Sequence, residues 1–500
     1  MITIGFSTRE NNPKYIEYLQ KTSTCKNVQI IQKVNNGEKS LSQVYNEIID
    51  ESKHNIVVLV HDDLKFETGW GKKIIQDFKN EPEFAIIGKA GSCHFPESGI
   101  YWEHMQQTMV GQVYHHPKNQ KKWLSKYSSK LPFLIPVVTI DGLFISFDKN
   151  KIKHRFDESI GRFHFYDHLF CVPNFIDGVK IGVTSSFEIT HESVGQPNDE
   201  FFTSKDQFLN KWSHVLPLDL KPKSVYVPEI KEKPMKQDGR VAIIIPTKGK
   251  VKMLFDCVKS FYDHCNHELF KIFIADTGST DEEKEWIKQN ILCLGDIKLI
   301  EYDYYNFAKI NNDVVKNHVT DEFKYILFSN NDIKVLNNVI YDMLLIFKTN
   351  KNTGTVGCRL HFEDNTIQHD GIFIGFDKTN NIRIGHFGFK SYYNFNLHIR
   401  NVCGSTGGFL MITKKTFENC GMFNESYIEC FEDVELNLKS EIMGLKNFMS
   451  GRSVAYHFES QTRNNNEEEK NNKMGLDLSE RLIPFIKQNS TKIKNIANFN

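Results

Sequence analysis

The sequence lacks the features that would place a protein in a membrane or outside the cell. Its longest apolar stretch, residues 131–147, is interrupted by Pro132, Pro136 and Asp141, and it falls short of the roughly 20 apolar residues that a membrane-spanning helix needs. The first residues lack the charged and apolar regions of a secretion signal. No two of the ten cysteines are spaced as Cys-x-x-Cys, so neither a zinc site nor a disulfide framework is indicated. We therefore expect a cytoplasmic protein with reduced thiols.

The chain also lacks net charge. Lys and Arg together number 62, as do Asp and Glu, which removes any argument for nucleic-acid binding from bulk charge. Hydrophobic residues make up 40% and charged residues 25% of the sequence, the balance of a soluble globular protein. A length of 500 residues corresponds to about three domains or two large ones.

A Lys- and Pro-rich segment divides the chain. Residues 217–239 have little helical periodicity and are typical of a linker. The apolar run 241–245 that follows has the character of a buried parallel strand. We therefore predict one domain at 1–216, a second at 240–463 and a helical tail at 464–500.

The two halves carry the same landmarks in the same order. A buried strand ends in an acid, a helix begins with an acid, and a histidine closes the series. The matching pairs are Asp63 and Asp332, Asp167 and Asp433, and His191 and His457. The last two landmarks are 24 residues apart in both halves, and the first and last are 128 and 125 residues apart. We infer two related α/β domains in tandem.

Acids at strand ends and helix starts suggest a chemistry. The carboxyl end of a parallel strand faces the ligand crevice of an open sheet, where one carboxylate and substrate phosphates can hold Mg²⁺ or Mn²⁺. Asp332 has this position, and the imidazole of His457 suits Mn²⁺. Asp433 opens a helix, which favours its ionised form, so it could act as a general base. Taken singly, Asp332 and Asp433 fit a cap or an acidic first turn better.

Short motifs run through the second half in a fixed order. They are Ile-Ile-Ile-Pro-Thr (243–247), Ala-Asp-Thr-Gly-Ser-Thr-Asp (275–281), Phe-Ala-Lys-Ile-Asn-Asn (307–312), Phe-Ser-Asn-Asn-Asp (328–332), Thr-Ile-Gln-His-Asp-Gly (366–371), Gly-Ser-Thr-Gly-Gly (404–408), Glu-Asp-Val-Glu-Leu (432–436) and His-Phe-Glu-Ser-Gln-Thr-Arg (457–463). With these motifs, residues 240–463 resemble the family 2 glycosyltransferases of the rhamnosyltransferase or O-antigen type. The resemblance implies the GT-A fold, a Rossmann-like α/β fold with a mostly parallel sheet.

The resemblance also implies roles for individual residues. Asp332 and His457 would bind a Mn²⁺ or Mg²⁺ ion that carries the donor diphosphate. Asp433 would deprotonate the acceptor hydroxyl in a single displacement that inverts the anomeric centre. The residues that would bind the nucleotide-sugar donor are Pro246, Thr247, Asp276, Asn312 and Asn331.

The first half resembles a glycosyltransferase-like branch of the same superfamily. The motifs that carry this resemblance are Leu-Val-His-Asp-Asp (59–63), Phe-His-Phe-Tyr-Asp (163–167) and His-Glu-Ser-Val-Gly (191–195). By position, Asp63 and His191 would bind a metal ion and Asp167 would be the base. The donor-binding residues would be Ser7, Asn46 and Asp62.

The first half departs from the second at two of these positions. It has Asn35-Asn-Gly where the second half has Asp276-Thr-Gly, and it has Leu169 where the second half has Glu435. Donor binding in the first half is therefore expected to differ. We interpret His115 and its neighbour as a solvated loop pair.

The leading hypothesis is a metal-dependent inverting glycosyltransferase with two transferase domains that acts in surface polysaccharide synthesis. It would move a hexosyl or deoxyhexosyl group from a UDP- or dTDP-sugar to a glycan, a lipid-linked or a protein-linked acceptor. One alternative makes the first domain a non-catalytic acceptor-binding module. Another is a nucleotide-sugar-binding protein without turnover. The amphipathic residues 481–487 are the segment through which a peripheral contact with the inner face of the membrane would form.

Overall fold

The computed structural model of the protein shows two compact units, one formed by Met1–Lys221 and the other by Pro222–Tyr392 and Leu397–Asn500. The end of the last sequence motif, residues 459–463, lies outside the described residues. The structure describes residues 1–103, 108–195, 197–220, 224–233, 238–376, 381–391, 397–428, 430–458, 467–493 and 495–498.

The first unit alternates strands and helices along the chain. Its strands are Ile2–Thr8 (β1), Val28–Val34 (β2), Ile56–Val60 (β3), Leu64–Phe66 (β4), Phe84–Gly88 (β5), Ala90–Ser92 (β6), His94–Phe95 (β7), Met109–His115 (β8), Trp123–Lys126 (β9), Ile135–Val137 (β10), Thr139–Ile140 (β11), Phe144–Asp148 (β12), Lys180–Val183 (β13), Ile189–His191 (β14) and Leu218–Asp219 (β15). Its helices are Pro13–Ser23 (α1), Leu41–Glu51 (α2), Trp70–Asn80 (α3), Tyr166–Ile176 (α4) and Asp199–Trp212 (α5), with a 3₁₀ turn at Ser213–Val215.

Two sheets organise the first unit. The main sheet has the order β10-β13-β5-β12-β3-β1-β2, in which β3, β1 and β2 are parallel and β12 is antiparallel to both of its neighbours. The smaller sheet has the order β11-β6-β8-β14-β4. There β14 pairs antiparallel with β4, which sets His191 opposite Leu64. This pairing returns the distant histidine to the residue that follows Asp63.

The second unit repeats this arrangement. Its strands are Arg240–Thr247 (β16), Phe270–Asp276 (β17), Ile297–Glu301 (β18), Phe323–Ser329 (β19), Ile333–Val335 (β20), Thr353–His361 (β21), Ile367–His369 (β22), Ile372–Phe376 (β23), Ile382–His386 (β24), Ile399–Val402 (β25), Phe409–Thr413 (β26), Lys446–His457 (β27) and Ile496–Asn498 (β28). Its helices are Val251–His264 (α6), Asp281–Asn290 (α7), Phe307–His318 (α8), Val339–Thr349 (α9), Lys414–Asn419 (α10), Glu432–Ile442 (α11), Glu467–Leu476 (α12) and Ile483–Asn489 (α13). Shorter turns are the 3₁₀ segments His267–Leu269 and Leu292–Leu294 and the π-helical segment Asp477–Leu482.

The apolar run predicted to be a buried strand is the centre of the second sheet. Val241, Ile243 and Ile245 belong to a core that includes α6, whereas Ala242 and Ile244 belong to a core that includes α8. Because side chains alternate across a strand, an unbroken apolar run is what a strand covered on both faces requires. The sheet order is β18-β17-β16-β19-β26-β21-β27-β20, with parallel β16, β17, β18 and β19 and with β26 inserted antiparallel.

These architectures confirm the predicted α/β fold class with helices at the C-terminus. A capping box of Thr280 and Glu283 marks the start of α7. Among the residues that the structure describes, no helix combines the length and the apolarity needed to cross a membrane.

The C-terminal segment is part of the second unit. Leu482 and Ile486 are buried in a core with Val434 and Leu438 of α11, and β28 pairs parallel with β23. Two of the apolar side chains that suggested a membrane contact through residues 481–487 therefore pack against the protein's own helix.

Asp477 fastens this segment to the loop before α11. Its side chain is fully buried, and its carboxylate accepts hydrogen bonds from the backbone amides of Ile428, at 3.0 Å, and Cys430, at 3.2 Å. Arg481 completes the site with an ion pair to Asp477 at 3.0 Å. The loop that leads into α11 is thus held in place by a residue about 50 positions later in the chain.

We expect Asp477→Ala to destabilise the second unit. The change leaves two backbone amides and the Arg481 guanidinium without their buried partner, a loss of about 3–5 kcal/mol, which lowers an unfolding midpoint by roughly 5–10 °C. Differential scanning calorimetry of the full chain measures the shift. Lys487→Ala, an exposed change on α13, is the matched control and should leave both transitions in place. An unchanged thermogram for Asp477→Ala would contradict this account.

Candidate active sites

Asp433 is held at the start of α11 by two backbone amides. One carboxylate oxygen accepts from Gly407 N at 2.6 Å and the other from Val434 N at 2.7 Å. Phe431, two residues before Asp433, has a left-handed φ of 78°. A Cβ atom at Gly407 would lie 3.1 Å from the Cβ of Asp433. Burial raises the pKa of Asp433, while the two amides and the imidazole of His386 oppose the rise. A fixed carboxylate with a raised pKa is suited to take up a proton.

Asp332 and His457 meet at the carboxyl edge of the second sheet. Asp332 lies between β19 and β20, and β20 pairs antiparallel with the end of β27, so that Ile333 lies opposite His457. His457 Nε2 lies 3.2 Å from Asp332 Oδ1. The backbone reinforces the approach, since Phe458 N donates to Asp332 O at 3.0 Å.

The hydrogen bonds of His457 fix its tautomer. The side-chain oxygen of Gln368 accepts from Nδ1, and the side-chain amide of Asn330 lies 3.1 Å from Nε2 and donates to it. Nε2 is therefore an acceptor, and its lone pair faces the Asn330 amide in this structure. Asp332 Oδ1 is buried with no hydrogen-bond partner among the described residues. A buried, unpartnered carboxylate oxygen beside an imidazole nitrogen is a ligand set that suits Mn²⁺.

Polar residues line the ends of the neighbouring strands. Thr247 lies opposite Asp276 in the β16–β17 register, and Asn331 donates to the Thr247 hydroxyl at 2.9 Å. Asp276 is buried and accepts from the amide of Ser279 at 3.3 Å. Pro246 precedes Thr247 on β16. The structure therefore brings Pro246, Thr247, Asp276 and Asn331 together at one edge, next to Asp332.

Asn312 differs from the other residues expected to bind the donor. Its amide donates to Phe423 O and to Glu425, both at 2.9 Å, and its oxygen accepts from Phe423 N at 3.1 Å. Asn46 makes the same three contacts in the first unit, to Phe156 and Glu158. Both amide groups are thus used to hold a loop.

The first unit reproduces the base and the strand-end acid. Asp167 accepts from Gly142 N at 2.8 Å and from His168 N at 2.9 Å, and burial raises its pKa. His191 Nε2 lies 3.3 Å from Asp63 Oδ2. Burial opposes ionisation of Asp63, but the imidazole of His191 outweighs it and lowers the pKa of Asp63 to about 2. Asp63 Oδ1 is also buried with no hydrogen-bond partner among the described residues.

The donor edge of the first unit is different. Thr8 lies opposite Val34 in the β1–β2 register, so Val34, and not Asn35, occupies the position of Asp276. Val34 is 55% exposed, whereas Asp276 is buried. Ser7 is half-buried next to Thr8, and Asp62 is exposed, unlike the buried Asn331 at its position. An apolar residue replaces the acid at this edge.

Comparisons with known proteins match a family model to each half of the chain. Residues 6–212 match the model of the family described as "Glycosyltransferase like family", and residues 242–415 match "Glycosyl transferase family 2". The protein carries two glycosyltransferase domains. This confirms the resemblance that the sequence motifs indicated.

Curated relatives cover part of these glycosyltransferase domains. The chain is 26% identical over 238 residues to "O-antigen biosynthesis protein RfbC" of Myxococcus xanthus, which covers 46% of this chain and 18% of the relative. It is 27% identical over 242 residues to "Uncharacterized protein y4gI" of Sinorhizobium fredii, covering 46% of this chain and 26% of the relative. The matched region thus spans about a quarter or less of each relative's own length.

Two solved structures are distant neighbours of the protein. A crystal structure of GalNAc-T7 with UDP, GalNAc and Mn²⁺ is 14% identical, with a TM-score of 0.38 over 46% of this chain and 47% of that one. The mannosyltransferase PcManGT from Pyrobaculum calidifontis, in complex with GDP-Man and Mn²⁺, is 12% identical, with a TM-score of 0.36 over 52% and 66%.

Sequence reasoning missed several residues of the glycosyltransferase sites. His369 Nδ1 lies 3.1 Å from His386 Nδ1, and His369 Nε2 accepts from Thr406 N at 3.2 Å, one residue before Gly407. His369 stands in a motif that had only supported the family resemblance, and no local pattern singles out His386. Glu435, the second acid of its motif, is structural, because it accepts from Tyr427 at 2.8 Å.

We expect Asn312→Ala and Asn331→Ala to separate a structural from a ligand-binding asparagine. Asn312→Ala leaves buried backbone groups unsatisfied and should destabilise the second unit by about 1–3 kcal/mol without weakening nucleotide binding by that unit. Asn331→Ala removes one buried hydrogen bond, to Thr247, so it should cost about 1 kcal/mol of stability, and unlike Asn312→Ala it should weaken nucleotide binding. Calorimetric unfolding and isothermal titration with UDP and dTDP measure both properties. If Asn312→Ala weakened nucleotide binding and Asn331→Ala did not, Asn312 would be the asparagine that binds the donor.

Proposed function

We propose that the protein is a metal-dependent inverting glycosyltransferase in which both units, at residues 1–216 and 240–463, are catalytic. The observation that carries the proposal is a repeated pair of features in each unit. One feature is a strand-end carboxylate beside an imidazole, with one buried oxygen that has no hydrogen-bond partner among the described residues, and the other is a separate carboxylate held at a helix start. The three residues concerned are Asp332, His457 and Asp433 in the second unit and Asp63, His191 and Asp167 in the first.

The reaction follows from the placement of the base. Asp433 accepts the proton of the acceptor hydroxyl, whose oxygen forms a bond to the anomeric carbon as the bond from that carbon to the nucleoside diphosphate breaks. Attack from the side opposite the nucleotide inverts the anomeric centre. A bound Mn²⁺ or Mg²⁺ ion supplies charge neutralisation for the departing diphosphate. Asp332 and His457 would hold that ion, and Gly407 N and Val434 N keep the base oriented.

The donor we propose is a UDP- or dTDP-sugar with a hexosyl or deoxyhexosyl group. Asp276, Thr247, Pro246 and Asn331 form one edge at the carboxyl ends of parallel strands, where nucleotides bind in open α/β sheets. The acceptor would be a glycan or a lipid- or protein-linked glycoconjugate of a surface polysaccharide. The name of the Myxococcus relative, an O-antigen biosynthesis protein, supports this product class.

The first unit has a second candidate function. The exposed Val34 at the position of Asp276 removes a polar contact to the nucleotide, which favours a unit that binds the acceptor without turnover. Against this stands its intact base, Asp167, which a binding module would not need to hold between two amides. We therefore give two active units as the proposal.

Replacement of each base tests the proposal. Asp433→Asn and Asp167→Asn, each in the full chain, should lower transfer by their own unit about 100-fold or more, because the acceptor hydroxyl loses its general base. Release of UDP, dTDP or GDP from a panel of nucleotide sugars, with and without Mn²⁺, measures turnover. Asp256→Asn, an exposed change on α6, is the control.

The outcomes separate the alternatives. If only Asp433→Asn lowers transfer, the first unit is a binding module. If the protein binds nucleotide sugars but releases no nucleotide with any acceptor, it is a binding protein without turnover. If neither replacement lowers an observed transfer, the assignment of the bases is wrong.

The dependence of transfer on pH gives a further prediction. The base must be ionised, and burial raises the pKa of Asp433 above its ordinary value. Activity of the second unit should therefore fall, as pH decreases, at a higher pH than an exposed aspartate would give. His386 favours the ionised form, so His386→Phe should move this acidic limb to still higher pH. A limb that does not move would exclude His386 from the surroundings of the base. The profile of kcat/KM against pH measures both.

A further inference from the structure

The strand-end acid of the first unit is part of a cluster of three potential metal ligands in the described part of the chain. His61, Asp63 and His191 each offer one ligand atom, and these atoms lie within 4.8 Å of one another. In the second unit, Asn330 takes the position of His61, two residues before the acid. Its amide donates to the imidazole of His457 instead. The two centres therefore differ by one potential ligand.

Packing fixes His61 in this position. Its Nε2 lies 2.8 Å from the hydroxyl of Tyr166, at the start of α4, and the Tyr166 ring packs edge-on against Tyr45 at 5.5 Å. The ring centroids of His61 and His191 are 5.9 Å apart. A ring nitrogen that is hydrogen-bonded to a neighbouring side chain is typical of metal-binding histidines.

His115 adds a third imidazole, and the interpretation of a solvated loop pair is corrected for it. The parallel pairing of β8 with β14 sets His115 next to His191, with ring centroids 5.9 Å apart. Trp123 stacks on its other side at 5.3 Å. His115 Nδ1 is buried with no hydrogen-bond partner among the described residues. A buried ring nitrogen without a partner beside His191 is a second indication of a cation at this place.

We propose that the first unit binds a divalent transition-metal ion in the absence of nucleotide, through Asp63, His61 and His191 with His115 beside them. Among the residues that the structure describes, the second unit offers Asp332 and His457, and it binds its ion together with the donor diphosphate. This inference rests on the proposed function, which treats both centres as metal sites.

The chemistry of the ligands supports this difference. Sites with one or two protein ligands for Mg²⁺ or Mn²⁺ usually need substrate phosphates to complete them. Additional imidazoles strengthen binding of Mn²⁺, Co²⁺ and Zn²⁺ and favour these ions over Mg²⁺. The ion of the first unit is therefore a resident one, whereas the second unit exchanges its ion with each donor.

Titration of the full chain with MnCl₂ tests the proposal. Free Mn²⁺ is followed by its electron paramagnetic resonance signal, without nucleotide and then with UDP, dTDP or GDP. We expect one tight site per chain without nucleotide and a second site when a bound nucleotide is present. His61→Asn should weaken the nucleotide-free site at least roughly tenfold, and Asp332→Asn should leave it unchanged. Asn330→His, the reciprocal change, should create a second nucleotide-free site.

The controls keep the outcome readable. Circular dichroism and metal-free unfolding show whether His61→Asn still folds. If it does not fold, Tyr166→Phe, which retains all the imidazoles, is used in its place. Unchanged Mn²⁺ affinity in a folded His61→Asn variant would overturn the proposal, as would loss of the nucleotide-free site in Asp332→Asn. Sugar transfer by a chain without a nucleotide-free site would refute this inference and leave the proposed function standing. A nucleotide-free metal site in a chain that transfers no sugar would support this inference and refute the proposed function.

Discussion

Both candidate sites depend on one short antiparallel pairing at the edge of each sheet. A strand that begins directly after the acid pairs with the strand that ends in the histidine, so that Asp63 meets His191 and Asp332 meets His457. Backbone hydrogen bonds of 3.0 Å, from Glu192 to Asp63 and from Phe458 to Asp332, tighten each contact. Residues more than 120 positions apart are thereby set within reach of one ion, and the rest of each fold can be seen as the scaffold for this pairing.

The two units keep the backbone of this scaffold and vary the side chains on it. Each base is held by the same two amide contacts, and Asn46 and Asn312 hold corresponding loops through the same three hydrogen bonds. The differences lie where a ligand would be contacted, with Val34 in place of Asp276 and His61 in place of Asn330. Such a pattern is what one expects when a duplicated framework serves two different ligands.

Local pattern was sufficient to predict the buried strands that end in an acid and the acidic start of α11, because each is encoded within a few neighbouring residues. The nearly equal spacing of these landmarks in the two halves then linked Asp63 with His191 and Asp332 with His457. The role of Asn312 could not be predicted, since its partners lie 111 and 113 residues away. His115 was missed for a related reason, because its place beside His191 depends on a strand pairing that leaves no local signal. The packing of the C-terminal segment on α11 is likewise a long-range contact.

The contact of Asp477 with the loop before α11 has a consequence for biosynthesis. A chain emerging from the ribosome completes the first unit's landmarks by residue 191, long before the second unit can be assembled. The base Asp433 is made before Asp477, the residue that secures its loop, and β28 follows later still. During translation, the amino-terminal centre would therefore be finished well ahead of its carboxy-terminal counterpart, and an interrupted polypeptide would retain one mature centre.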